Sequence, residues 1–111
     1  MNDSAPLLTE ALPELAQELE ELLAKQEPEI ALQVRQLRIV DRCRCGDDFC
    51  AMFYTVPRPK GSWGRGHRNI SLGCKTGRLV LDVVDDKVTA VEVLDRDDIR
   101  KKLDEIYGLK L

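Results

Sequence analysis

Residues 79–94 have the sequence LVLDVVDDKVTAVEVL. Two valine-rich runs, Leu79 to Val84 and Lys87 to Leu94, flank the pair Asp85-Asp86. Valine favours strands, and adjacent aspartates are typical of a tight turn. The stretch therefore predicts a β-hairpin, and it predicts a mostly antiparallel sheet at the centre of the fold.

A second hairpin is expected earlier in the chain. From Leu37 to Cys45 apolar and charged side chains alternate with the period of two that strands show, and Gly46-Asp47-Asp48 is a turn signal. The following run, Phe49 to Val56, is apolar on both faces, which predicts a central strand of the sheet. His67 to Gly73 is expected to be one further short strand.

Helices are predicted on either side of these strands. The first helix is expected to begin at a cap formed by Thr9 and to end at Glu27-Pro28. Pro13 is tolerable in this helix only if it lies in the first turn. A second short helix is expected over residues 28–36, although Ile30 and its neighbours also alternate like a strand. The first helix is predicted from leucines that recur at three- and four-residue steps, namely Leu8, Leu12, Leu15, Leu19, Leu22 and Leu23.

The C-terminal helix is predicted to start at a cap formed by Asp95 and to stop at Gly108. Ile99, Leu103 and Ile106 should form its buried stripe. The expected fold class is α+β, with about five mostly antiparallel strands in two hairpins plus a short strand, two N-terminal helices and one C-terminal helix covering one sheet face. We expect a single domain over 1–111, made of an acidic helical segment (1–36), the sheet (37–94) and the closing helix (95–108).

The charge is unevenly distributed along the 111 residues, although the net charge is only −3. Residues 1–34 hold eight acids and one base, residues 35–78 hold ten bases and three acids, and the remainder holds nine acids and six bases. The acidic segment of the same chain or of a second subunit can neutralise the basic middle. Alternatively, the basic middle attracts a nucleic acid or an acidic protein.

The sequence predicts no membrane span and no export. Its longest unbroken apolar run, Phe49 to Tyr54, has six residues, whereas a spanning helix needs about 20. No apolar stretch of the secretory kind follows the N-terminus. We therefore expect a cytoplasmic protein.

Three of the four cysteines lie within eight residues, as Cys43, Cys45 and Cys50, and the fourth is Cys74. The turn would bring Cys45 and Cys50 together, with Cys43 on the same face as Cys45. Zinc takes about four such ligands in a tetrahedron, and the fourth would be Cys74 or His67. The chain has no Cys-x-x-Cys pair, and cysteine is often simply buried. Buried thiols without a cofactor are the first interpretation, zinc the second, and redox or nucleophilic chemistry the third.

No enzyme motif is present, and we expect no catalytic activity. His67 is the only histidine, and its surroundings match no nucleophile elbow, phosphate-binding loop or metalloprotease helix.

Residues 58–68, RPKGSWGRGHR, form the most unusual segment, which we call the basic loop. Its cations can neutralise phosphates while an exposed indole stacks on a base. Alternatively, Trp63 closes the core beneath the loop, or it anchors an acidic protein.

The leading prediction is a non-enzymatic binding module for a protein partner or a second copy of the chain. The second is a zinc domain, and single-stranded nucleic acid is a further alternative. The predicted contact residues are Arg58, Lys60, Trp63, Arg65, His67 and Arg68.

The segment CRCGDDFC (43–50), followed by Phe53-Tyr54-Thr55, resembles a family of small bacterial hypothetical proteins. Gly66-His67-Arg68 and the run from Leu79 to Val84 carry the same resemblance, which extends over about residues 37–103. It implies a bacterial, cytoplasmic protein, and it transfers no activity.

Overall fold

A computed structural model describes residues 5–45 and 49–107 of the chain. Four α-helices, α1 (Leu8–Ala11), α2 (Pro13–Gln26), α3 (Pro28–Ala31) and α4 (Asp97–Tyr107), accompany a short 3₁₀ turn at Val34–Gln36. The strands are β1 (Asp41–Arg42), β2 (Phe53–Tyr54), β3 (His67–Leu72), β4 (Arg78–Val84) and β5 (Lys87–Leu94). The predicted α+β class is thus confirmed.

The five strands form one antiparallel sheet in the order β1-β2-β5-β4-β3. The hairpin predicted from residues 79–94 is β4 and β5, joined by Asp85 and Asp86, whose φ angles are +49° and +67°. Two consecutive left-handed residues match the twist of an antiparallel pair, and aspartate tolerates that conformation better than most residues do. This hairpin occupies the middle of the sheet.

The other hairpin, β1 and β2, is regular over only two residue pairs, so its strands are shorter than the sequence predicts. Backbone hydrogen bonds continue the pairing on both sides: Val40 donates to Tyr54 at 2.9 Å, and Cys43 donates to Met52 at 2.8 Å. The predicted turn at residues 46–48 lies outside the described residues. The central position predicted for the second strand is confirmed, because β2 lies between β1 and β5.

The helices differ from the sequence prediction at their ends. The first predicted helix is divided at Leu12, because Pro13 lacks the N–H that a helix interior requires and instead begins α2. Thr9 lies inside α1 and does not cap it; Leu7 precedes the helix with no side-chain cap. The second predicted helix is likewise split into α3 and the 3₁₀ turn.

The start of α4 also differs from the prediction. The residue directly before α4 is Arg96, and Asp95, with a φ angle of +60°, connects the helix to β5. Ile99 and Leu103 are buried as predicted, whereas Ile106 is 37% exposed and lies outside the buried stripe. Gly108 is not among the described residues.

The core lies between the helices and one face of the sheet, which we call the inner face. In register across β3, β4, β5 and β2, Ile70 is paired with Leu81, Leu81 with Val91, and Val91 with Phe53. These four side chains are at most 2% exposed, and they form one cluster with the buried leucines of α1 and α2. The opposite, outer face holds the next register row, Asn69, Asp82, Ala90 and Tyr54. No described helix is long and apolar enough to cross a bilayer.

Candidate functional site

The Sγ atoms of Cys43, Cys45 and Cys50 all lie within 4.8 Å of one another. We call these residues the cysteine triplet. Backbone pairing brings them together: Cys43 donates its N–H to Met52 across the first hairpin, and Cys50 forms an isolated bridge with Leu94 at the end of β5. The triplet is therefore held at one end of the sheet by hydrogen bonds that do not involve the thiols.

The three thiols differ in exposure. Cys50 is 7% exposed, Cys43 is half-buried, and Cys45 is exposed. Burial, with a smaller contribution from the neighbouring Cys45 and Cys43, raises the pKa of Cys50 to about 12, and a hydrogen bond with the Met52 backbone opposes this shift. A neutral thiol is a poor nucleophile, which disfavours covalent chemistry at Cys50.

An ion pair, a cation–π contact and a hydrogen bond with α4 fix the strand that leads into the triplet. Arg42, which is 6% exposed, pairs with Asp104 and donates a hydrogen bond to the Cys43 carbonyl at 3.0 Å. The Arg44 guanidinium lies 5.7 Å from the ring centroid of Tyr107. The Tyr107 hydroxyl in turn donates to the Ile39 carbonyl at 3.1 Å. The positions of Cys43 and Cys45 are thus set by contacts on the side of β1 that faces α4.

The spacing of the thiols suits a tetrahedral metal ion. Sulfur atoms bound to zinc at about 2.3 Å lie roughly 3.8 Å apart, so small side-chain rotations close the triplet onto such an ion. Among the described residues, the triplet is the only group of three or more potential metal ligands that converge in this way. It supplies three of the four ligands that a zinc ion takes.

His67 does not join the triplet, contrary to the prediction that it could be the fourth ligand. It pairs with Val84, beside Lys87 at the start of β5, whereas Cys50 meets Leu94 at the end of that strand. Cys74, the other predicted fourth ligand, lies in the loop between β3 and β4 and is not part of the converging group. Its thiol donates to the Thr76 carbonyl at 3.3 Å. The strand register places His67 at the other end of β5 from the triplet, whereas Cys74 lies in a loop at the triplet's end of the sheet and is separated from it by β5.

At the opposite end of the sheet, the basic loop crosses the outer face. The Trp63 ring centroid lies 6.2 Å from that of Tyr54 on β2 and 6.4 Å from that of His67 on β3. Strands β5 and β4 lie between these two residues, so the indole lies over the outer face. Ala90, between Tyr54 and Asp82 in the register row, is fully buried, which agrees with an indole above it. Trp63 itself remains half-buried.

The predicted cationic contacts of the basic loop fall into two groups. Arg58, Lys60 and Arg65 are exposed, and none of them has an ion-pair partner among the described residues. The Arg58 guanidinium lies 5.1 Å from the ring centroid of Tyr54. Arg68, by contrast, pairs with Glu27 at 3.1 Å and with Asp86 at 3.3 Å. Its charge is compensated, which separates Arg68 from the other three cations.

A polar network lies beneath the loop, and sequence reasoning missed it. The Asp82 carboxylate is 3% exposed, and its Oδ1 is 2.8 Å from His67 Nε2 and accepts a hydrogen bond from Asn69 at 2.7 Å. A register shift after Asp82 adds a residue to β5, where the Thr89 hydroxyl donates to the Asp82 carbonyl at 3.0 Å. The sequence did contain a signal for this network, because Asp82 is an acid within an otherwise apolar strand. An acidic side chain is rarely buried without partners.

Glu92 belongs to the same network. Burial and the adjacent Asp82 together raise its pKa to about 7, while His67 and Arg78 oppose the shift. Two carboxyl groups in one partly buried location cannot both ionise easily. Glu92 therefore exchanges its proton near neutral pH.

A cleft of about 760 Å³ lies elsewhere, between α2 and the loop that follows β3. It is lined by Glu18, Glu21, Cys74, Lys75 and Arg96, among others. Arg96 pairs with Glu18 at 2.9 Å, so the cation best placed to bind an anion in this cleft is already compensated.

Comparison with known proteins identified no relative: no protein-family model, curated protein or solved structure matches this chain.

Proposed function

We propose that this protein binds zinc, or a similar thiophilic metal ion, through Cys43, Cys45 and Cys50. The observation that carries the proposal is the convergence of three Sγ atoms within 4.8 Å of one another. Thiolate sulfur is the ligand that zinc prefers, and a three-residue protein site leaves a fourth position for another ligand. Free thiols that are simply buried have no need to converge.

The ion would not be the main source of folding energy. The main hydrophobic cluster consists of side chains from the helices and from the inner face of the sheet, and it includes none of the triplet cysteines, although Cys50 is itself buried. Small zinc domains that lack such a core unfold without metal. In this chain we expect metal binding and folding to be largely separable.

The test is the metal content of purified protein under reducing conditions, after dialysis against metal-free buffer. Wild-type protein should retain about one equivalent of zinc, and cobalt substitution should produce thiolate-to-cobalt charge-transfer absorption. Cys50→Ser and Cys43→Ser should lose both signals. Cys74→Ser is the matched control, because Cys74 is a free cysteine outside the triplet, and it should bind metal like the wild type.

Two results would contradict the proposal. Wild-type protein that takes up no stoichiometric zinc or cobalt would show that the triplet is a set of free thiols without a metal. Equal loss of metal in Cys74→Ser would show that the ion is bound elsewhere.

We also propose that the basic loop binds an anionic macromolecular partner. The supporting observation is that Arg58, Lys60 and Arg65 are exposed and have no ion-pair partner among the described residues, although other arginines of the basic middle do. A loop with three uncompensated cations beside an aromatic residue has the chemistry of an interface anchor. Replacing these cations with serine should abolish partner binding while the protein stays folded.

A further inference from the structure

The outer face carries aromatic groups in a row across the sheet. Tyr54 and His67 are three strand spacings apart, or about 14 Å, and the Trp63 indole bridges them with ring centroids 6.2 and 6.4 Å away. The rings are tilted by 46° and 43° rather than stacked face to face. A tilted, half-buried indole keeps part of its π surface available for a flat ligand.

The loop that holds Trp63 is anchored at its end by a close backbone contact. Gly66 has a φ angle of +80°, and a Cβ there would lie 2.2 Å from Asp85 Oδ1. The Asp85 N–H donates to the Gly66 carbonyl at 3.2 Å. The left-handed φ angle favours glycine here, so the end of the basic loop is held against the turn between β4 and β5. An anchored end reduces the conformational entropy that the loop loses when a ligand binds.

The charges set the orientation of such a ligand. Arg58, Lys60 and Arg65 are uncompensated in the loop, whereas Asp82 and Glu92 are carboxyl groups on the sheet beneath it. Phosphates are attracted by the first group and repelled by the second. A phosphate backbone would therefore follow the loop, and its bases would turn inward towards Tyr54 and Trp63.

We propose that the basic loop and the adjoining outer face bind single-stranded nucleic acid. Arg58, Lys60 and Arg65 contact successive phosphates, and Trp63 stacks on one base. This assignment rests on the proposed role of the loop as a partner site and names the class of partner. Stacking on an aromatic side chain combined with a cationic track is the usual way in which single strands are held without strict sequence recognition. A duplex offers no exposed base faces to the indole and should bind less tightly.

The experiment measures binding of fluorescein-labelled twelve-nucleotide oligouridine and oligothymidine by anisotropy, with a labelled duplex and labelled polyglutamate as competing classes. Both single strands should bind, and both should quench Trp63, which is the only tryptophan of the chain. With three phosphate contacts, the logarithm of affinity should fall against the logarithm of salt with a slope of about −2. Agreement of the two strands with each other would indicate that the sugar is not read.

The variants separate a site from a general charge effect. Arg58→Ser, Lys60→Ser and Arg65→Ser together should remove nearly all of the salt dependence and lower affinity at least tenfold. Trp63→Ala should lower affinity about tenfold and leave the salt slope unchanged. The matched control replaces Lys25, Lys75 and Lys101 with serine; these exposed lysines lie away from the loop, and their loss should change affinity less than threefold. Thermal unfolding of every variant checks that it is folded.

Four outcomes would overturn the proposal. The first is equal loss of affinity in the control variant, and the second is tighter binding of the duplex. In the third, polyglutamate binds and the oligonucleotides do not, so the loop is a partner site for acidic protein. Binding of neither polyanion at low salt would remove the partner-site function as well.

Discussion

Strand β5 runs from Lys87, beside the basic loop, to Leu94, beside the cysteine triplet, and the side chains around its two ends differ in kind. At the first end, Asp82 is hydrogen-bonded to His67 and Asn69, and Arg68 is paired with Glu27. At the second end, three thiols lie against one another. At the first end, the polar side chains are hydrogen-bonded or ion-paired with one another, and they hold the loop in place. At the second end, three sulfur atoms converge with no cation among them, which suits the binding of a metal ion.

The largest expected difference between the two ends concerns the metal. Cys45→Ser should lower the zinc content from about one equivalent to near zero, because two thiolates and one hydroxyl bind zinc much more weakly than three thiolates do. Replacing Arg58, Lys60 and Arg65 with serine should leave the zinc content unchanged. Elemental analysis of both proteins after dialysis measures the difference. Loss of zinc in the loop variant would mean that the two ends are not independent.

A core substitution tests how far the cysteine end depends on α4. Leu103 is fully buried, and its neighbour Asp104 pairs with Arg42 in β1. Leu103→Ala should lower the free energy of unfolding by about 2–5 kcal/mol, because it leaves a cavity. Chemical denaturation measures the total change in the free energy of unfolding. Amide hydrogen exchange should show faster local opening at Asp41–Arg42 than at His67–Leu72. Ile106→Ala, at a more exposed position of the same helix, is the control and should cost much less. An unchanged stability of Leu103→Ala would contradict the described packing of α4.

The polar network on the outer face of the sheet should give the protein a stability that depends on pH around neutrality. Burial and Asp82 raise the pKa of Glu92 to about 7 from the model-compound value of 4.5, so the folded state binds this proton more tightly than the unfolded state does. The stability from this group is therefore fully present below about pH 4.5 and is lost as the pH rises through about 7. Subtracting the stability of Glu92→Gln from that of the wild type at each pH isolates the effect, since other titrating groups largely cancel. A difference that does not change between pH 4.5 and 7.5 would show that Glu92 titrates normally.

The smallest effect is expected for the loop cations themselves. Arg58, Lys60 and Arg65 are exposed and make no ion pair with the described residues, so replacing all three with serine should change the free energy of unfolding by less than about 1 kcal/mol. Arg68→Ser provides the comparison, because it breaks contacts to Glu27 and Asp86 and should cost more per residue. Thermal denaturation at matched ionic strength measures both. A large loss in the triple variant would make these cations part of the scaffold.

Local sequence patterns predicted the regular elements well. The hairpin of β4 and β5 follows from valine-rich runs around Asp85-Asp86, and Pro13 lies in a first helical turn as the sequence requires, although the break at Leu12 was not predicted. Both features depend on residues within a few positions of one another. The exposure of Ile106 was not predicted, because helical spacing alone does not say where the partner surface of a helix ends.

Contacts between distant residues had no local signal. His67 meets Asp82 and not the cysteines because the register of β3 on β4 sets its position, and Arg68 meets Glu27 because the end of α2 lies near β3. In the sequence, Asp82 and Glu92 are acids in two different predicted strands. Only the pairing of β4 with β5 makes them neighbours whose carboxyl groups interact.

The sequence by itself determined that this chain forms an α+β fold around an antiparallel hairpin, that three cysteines flank one turn, and that one loop is basic and contains the only tryptophan. The periodicity of apolar residues and the residue preferences of turns depend on a few neighbouring positions, so they can be recognised in a single sequence. Only the tertiary structure decided that three thiols converge while His67 and Cys74 do not, and that Trp63 lies across the outer face. Those arrangements follow from strand order and register, which arise when the inner face is buried against the helices and every strand must pair.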